Sequence, residues 1–288
     1  DLFAEYMNEN HGANYRIEPM LEIMDEYLND IYKETPWGYT LPFYLSAITG
    51  SHPNYAVYLA QKDSLTVKSF NELLRGIPRE DKAKFSKANA EKYYKEYQEN
   101  FLDDKAAVAA LTERLAGKEV LLLAPGKRLA EHEADVKRFA AENSPVVVAV
   151  NFTAEEFASD YIFSSNMRRY VRIQGQTDAA CIITSNMKEA ERFDYQVNFA
   201  SFSSDSPDIL DNSGLMALKL MMALDVRRVY VAGMDGYSGG KETCYFDAGL
   251  EYDFSAEADR RNEFIRQEIR VLKKQIGIEF LTPSQYQN

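Results

Sequence analysis

Polar residues able to hold a small ligand recur at one kind of place, directly after short apolar runs. Gly126-Lys127 follows the run Glu119 to Ala124, and Asn151 follows Val146 to Val150. Ser164-Ser165-Asn166 follows Tyr161 to Phe163, and Thr184-Ser185-Asn186 follows Cys181 to Ile183. If those runs are parallel strands, all four endings lie on one edge. Their hydroxyls, amides and backbone N–H groups suit a phosphate or a sugar. Ser and Asn also make ordinary turns and caps, so the weight rests on the repetition. A further cluster, Asp211-Asn212-Ser213-Gly214, places good N-cap types just before an apolar stretch. A helix N-terminus there offers N–H donors to an anion, and Gly214 lets a ligand approach closely. Asp235, in Gly233-Met234-Asp235-Gly236-Tyr237, would repel a phosphate and therefore suits a neutral ribose or sugar hydroxyl.

These groups need a scaffold of alternating strands and helices. Leu215, Leu218, Leu220, Met221, Met222 and Leu224 predict a helix covered on more than one side, and Val229 to Ala232 a buried strand after it. Leu129 to Glu142 and Ser255 to Gln275 read as helices, Tyr195 to Asn198 as a weaker strand, and Ile278 to Leu281 as a last one. Short continuous apolar strands alternating with helices call for an α/β fold, a Rossmann-like, mostly parallel sheet with helices on both faces. Upstream the chain reads as a small all-helical segment. It comprises a helix closing near Gly12, an amphipathic helix from Glu18 to Tyr32, and an aromatic linker from Pro36 to Leu45. Helices near Gly50, Gln61 and Arg75 and one over Lys82 to Gln98 follow. The expected division is 1–110, helical, and 111–288, Rossmann-like.

The chain has 288 residues and a net charge of -12, which disfavours nucleic acid or an anionic membrane as the main partner. A locally basic pocket for a small anion is compatible with that balance. Two cysteines, Cys181 and Cys244, make no disulfide framework, and the absence of a signal-like apolar start points to the cytoplasm. Ala-Pro-Gly-Lys is not a Walker A loop and no GxGxxG occurs, so neither a P-loop nor a standard dinucleotide site is supported.

Two resemblances add to this. PWGYTLPFYLSA and HPNYAVYL, within residues 1–100, resemble the helical segment that follows the barrel in bacterial aldolases similar to HMG-CoA lyase and 4-hydroxy-2-oxovalerate aldolase. The resemblance implies an aldolase barrel of the same parent chain as a partner, with a divalent metal expected only in that barrel. The histidines here, His11, His52 and His132, are not spaced to share a metal, and His52 before Pro53 reads as a helix-start or packing residue. NSGLMALKLMMALDVRRVYVAGMDGY is similar to the segment of bacterial sialyltransferases that closes their CMP-sugar site, and to pterin-pyrophosphokinase-like domains. Together with Tyr245-Phe246-Asp247 and Ala-Pro-Gly-Lys-Arg-Leu, that likeness covers about residues 118–250. It implies that Asn151 and Asn166 contact a nucleotide and that Ser213 and Gly214 hold a phosphate. Asp235, Tyr237 and Tyr245 would line the ribose and phosphate pocket. The first turn departs from the family's Gly-Pro-Ser, and no histidine follows His132 to act as the sialyltransferase base.

The expected ligand site therefore comprises Gly126, Lys127, Asn151, Ser165, Asn166, Ser185, Asn186, Asn212, Ser213, Gly214, Asp235, Gly236, Tyr237 and Tyr245. The leading expectation is the non-barrel part of an aldolase-like protein that binds a nucleotide or another phosphorylated small molecule. Two alternatives stand beside it: glycosyl or pyrophosphoryl transfer by the second domain, and a non-catalytic assembly module. The aromatic residues Trp37, Tyr39, Phe43, Tyr44 and Tyr55 exceed what short helices need, which predicts that some of them are covered by the barrel or by a second subunit in a homo-oligomer.

Overall fold

The computed structural model describes residues 2–34, 38–62, 64–238 and 257–287. Its first part is helical. After α1 (Leu2–His11), where Gly12 stops the helix at φ +65°, α2 (Glu18–Ile23) and α3 (Asn29–Glu34) are joined by a π-helical turn, Met24–Leu28. Thr40 caps α4 (Leu41–Thr49) by accepting from the Phe43 N–H, and Gly50 ends it in the left-handed conformation. His52 Nδ1 accepts from the Asn54 N–H at the start of α5 (Pro53–Ala60), as its position before proline predicts. Then come α6 (Val67–Gly76), α7 (Arg79–Lys82), α8 (Lys87–Gln98) and α9 (Lys105–Leu115). The helix expected from Lys82 to Gln98 starts instead at Lys87, because Ser86 caps it by accepting from the Asn89 N–H, and Lys82 is the last residue of α7.

The second part is an α/β unit. β1 (Glu119–Leu123), α10 (Lys127–Glu131), α11 (Glu133–Asn143), β2 (Val146–Val150), β3 (Tyr161–Ser164), α12 (Met167–Tyr170), β4 (Ala180–Thr184) and β5 (Tyr195–Val197) follow in order. Beyond them lie α13 (Phe199–Phe202), α14 (Ser213–Ala223), β6 (Arg228–Ala232), α15 (Ala258–Leu272) and β7 (Gly277–Phe280). The helix expected over Leu129 to Glu142 breaks at His132, which no glycine or proline marks. All seven strands form one parallel sheet in the order β5-β4-β3-β2-β1-β6-β7. The chain walks outward from β1 to β5, then returns to pair β6 on the other side of β1. That reversal opens a crevice at the carboxyl ends of β1 and β6.

Alternate strand residues serve two cores, as the period of two requires. Val120, Leu122, Val148, Val150, Val229 and Val231 face a core shared with Leu215, Leu218, Ile265 and Ile269. Leu121, Leu123, Val147, Ala149, Ile162 and Ala232 face the other, with Leu129 and Val136. The first core continues through Leu111, Leu115 and Tyr94 to Tyr55, Leu59 and Leu45, so the helical part is packed into it. Polar bonds hold the same junction. Glu189 accepts from the hydroxyls of Thr66 and Ser69, and Asn198 Oδ1 accepts from the Leu102 N–H at 2.9 Å.

The amphipathic stripe of α2 and α3 finds no such core. Met20, Leu21, Ile23, Tyr27, Leu28 and Ile31 are between 37% and 58% exposed. Tyr39 is 86% and Tyr44 45% exposed, whereas Tyr55 is fully buried in the chain's own core. Pro36 and Trp37 lie outside the described residues. Exposed apolar area of this kind favours association. Analytical ultracentrifugation of the wild type should show self-association that grows with concentration and is suppressed by Leu28→Lys with Ile31→Lys; a strictly monomeric wild type contradicts this.

Candidate functional site

The site is built where the β1 and β6 loops nearly touch. A Cβ on Gly126 would lie 2.1 Å from the Gly233 carbonyl oxygen, and one on Gly233 would lie 2.0 Å from that of Ala124. The Gly126 N–H donates to the Gly233 carbonyl at 2.8 Å. Only residues without side chains let the two loops meet this closely. Asp235 follows at once. Its Oδ2 accepts from the Arg128 N–H at 2.9 Å, capping α10, while its buried Oδ1 has no hydrogen-bond partner. Burial pushes this carboxyl up to about 6, against the pull of the Arg128 N–H bond and side chain.

Across the crevice, α14 presents its N-terminus. Asn212, not Ser213, is the cap: its Oδ1 accepts from the Leu215 N–H at 2.9 Å, and its Nδ2 donates to the Tyr237 hydroxyl at 3.1 Å. The Ser213 hydroxyl sits between Asn151 Nδ2 at 2.7 Å and Ser165 Oγ at 2.6 Å. Asn151 in turn accepts from the Ser164 hydroxyl at 2.6 Å and holds a φ of +62°, a conformation asparagine tolerates better than most residues. The amides of Ser213 and Gly214 lie in the first turn, where no residue four earlier in the helix can accept their hydrogens. Both residues line the crevice, at the end of the helix that carries its partial positive charge. A Cβ at Gly214 would meet the Met234 methyl at 3.0 Å, so this glycine keeps the first turn bare.

Of the expected site residues, Gly126, Asn151, Asn166, Asn212, Ser213, Gly214, Asp235, Gly236 and Tyr237 line the crevice. Asn166 also caps α12 by accepting from the Arg169 N–H at 3.2 Å. Ser165 stands behind Ser213, and Lys127 lies outside the lining, exposed at the start of α10. Ser185 and Asn186 serve another purpose. The Ser185 carbonyl accepts from Asn100 Nδ2 at 3.1 Å, and Asn186 Nδ2 faces Gln98 Oε1 at 3.3 Å, so the β4 ending docks the helical part. Tyr245 and Asp247 lie outside the described residues.

Three cationic side chains that the sequence reading did not single out also line the crevice: Lys62, Arg169 and Arg261. Asp211 joins them, held by the Tyr94 hydroxyl at 2.5 Å. Asn262, only 2% exposed, fixes the opposite rim by accepting from the Tyr237 N–H at 2.9 Å and the Tyr286 hydroxyl at 2.8 Å. Arg169 follows Asn166 closely enough for a reader of the β3 ending to find it. Lys62 carries no local signal, since only the packing of the helical part against Asp211 brings it here. Among the described residues no group of three His, Cys, Asp or Glu side chains is placed to hold a metal ion. None of the described helices is long and apolar enough to cross a membrane. No protein-family model matches the chain, and no curated protein matches it.

Proposed function

We propose that the crevice at the β1–β6 switch binds a nucleotide or another phosphorylated small molecule. The observation that carries this is convergence. A helix N-terminus with a bare first turn, three cationic side chains and the Asn151–Ser213 pair meet at the carboxyl edge of a parallel sheet. A phosphate suits the α14 amides and the cations, and a ribose or sugar hydroxyl suits the unpartnered Oδ1 of Asp235. The exposed stripe of α2 and α3 supports reading the N-terminal helices as a segment made to pack on another folded unit, as the aldolase likeness implies.

A transferase reading has one observation in its favour. Asp235, with its carboxyl near 6, would titrate close to neutrality and accept a proton from a bound hydroxyl. A panel of nucleotides, nucleotide sugars and sugar phosphates tests binding. At least one should raise the melting temperature of the wild type, and Gly214→Val should remove that shift in a folded protein, because Met234 can give way to the new side chain. No shift with any compound at millimolar concentration overturns the binding claim. Release of sugar or pyrophosphate from the compound that binds, lost in Asp235→Asn, separates transfer from binding alone.

A further inference from the structure

Lys62, just past α5, reaches the crevice from the helical part. Its Nζ lies 3.0 Å from Glu91 Oε2 on α8 and 3.3 Å from the Pro207 carbonyl oxygen. The two side chains are nearly enclosed, at 10% and 15% exposure, and the ammonium stands over the Tyr58 and Tyr94 rings. Charged groups face the pair from every side. Asp208 and Asp211 come from the loop before α14, and Glu257 and Arg261 from the start of α15, while Arg260 and Lys87 act in turn on Glu257. Most of those acids have partners of their own. Arg260 bonds Asp208 at 2.7 Å, Arg261 bonds Glu257 at 3.2 Å, and the Tyr94 hydroxyl bonds Asp211. Glu91 is paired with Lys62. Burial, then the neighbouring carboxylates, push Glu91 up to about 7, and burial pulls Lys62 below its ordinary value.

Resting on the phosphate-ligand reading of the crevice, we propose that Lys62 is a specificity-determining residue. It exchanges its Glu91 partner for the ligand's anionic group, while Glu91 takes up a proton from solvent. The lysine lines the same crevice as Ser213 and Gly214. A carboxylate that loses its cation in an enclosed position is favoured in its neutral form. Up to one proton enters for each exchange above about pH 7, and fewer below it, so binding tightens as pH falls from about 8 through neutrality. The helical part is then a wall of the site, and selection for an anion depends on its docking.

Sulfate, a phosphate stand-in that does not titrate in this range, isolates the protein's part. It is titrated into the full chain between about pH 6 and pH 8 at constant ionic strength, with chloride as the balancing salt. The wild type should bind more tightly at the lower pH. Glu91→Gln should bind at every pH with a clearly shallower slope, since its lysine is already released and Asp235, whose carboxyl sits near 6, still titrates in the crevice. Lys62→Met with Glu91→Gln leaves no orphaned charge, keeps the fold, and should bind about tenfold more weakly or worse. A double variant that binds like the wild type overturns the proposal, as does a wild type without a pH slope or without sulfate binding. The nucleotide panel separates the two failures. A panel compound that still binds in the double variant with wild-type affinity leaves the crevice reading standing and removes Lys62 from it.

Discussion

Gly126→Ala is expected to cost the fold about 3 kcal/mol, near the upper end for an overpacked interior position. The added methyl would lie 2.1 Å from the Gly233 carbonyl oxygen and 2.6 Å from both Cγ and Oδ2 of Asp235. The first obstacle is backbone, which cannot turn aside, and the second is the carboxylate that caps α10. Relief requires the β1 and β6 loops to part, which opens the switch point and dismantles the ligand crevice. Gly76→Ala is the matched control. Its Cβ meets nothing within 4 Å in the last turn of α6, so it should be neutral or stabilise by about 0.5–1 kcal/mol. Urea unfolding of the two variants checks the contrast. Equal stability would mean that the two loops are not in contact.

Asp235→Asn should make the protein more stable at neutral pH. The carboxyl is raised from an ordinary value of 3.8 to about 6, so the folded chain holds this proton more tightly than the unfolded chain does. Its contribution is fully present below about pH 4 and is lost as pH rises through about 6. Above that, burying the ionised form costs about 1–2 kcal/mol, allowing for the partial exposure of the side chain. Asparagine keeps an oxygen for the Arg128 N–H and removes the charge. Its advantage should therefore be largest near pH 8 and shrink towards pH 4. Unfolding curves across that range measure it, and an Asn variant weaker at every pH would mean that the carboxylate is paired. A stabilising loss of charge at this position also fits a group retained for a ligand rather than for the fold.

The sheet was legible because its central strands are continuous apolar runs, which the buried two-faced position demands. The strand order was not, and it decides which polar endings matter. Asn151 and Asn166 follow β2 and β3, close enough to the switch point to line the crevice, whereas Ser185 and Asn186 follow β4 and are spent on Asn100 and Gln98. Composition gave only the allowance for a basic pocket. Lys62, Arg169 and Arg261 come from three separate parts of the chain, and their meeting is a property of packing alone. The stripe of α2 and α3 was equally plain in its spacing, yet it stays exposed among the described residues.

The central claim is that the first turn of α14 receives a phosphate. Its most direct test is an amide NMR titration of the isotopically labelled protein with the panel compound that raises the melting temperature. The Ser213 and Gly214 amide resonances, together with the Asn151 side-chain amide, should shift saturably and ahead of the rest. Saturable shifts confined to other parts of the chain, with those three unmoved, would contradict the account.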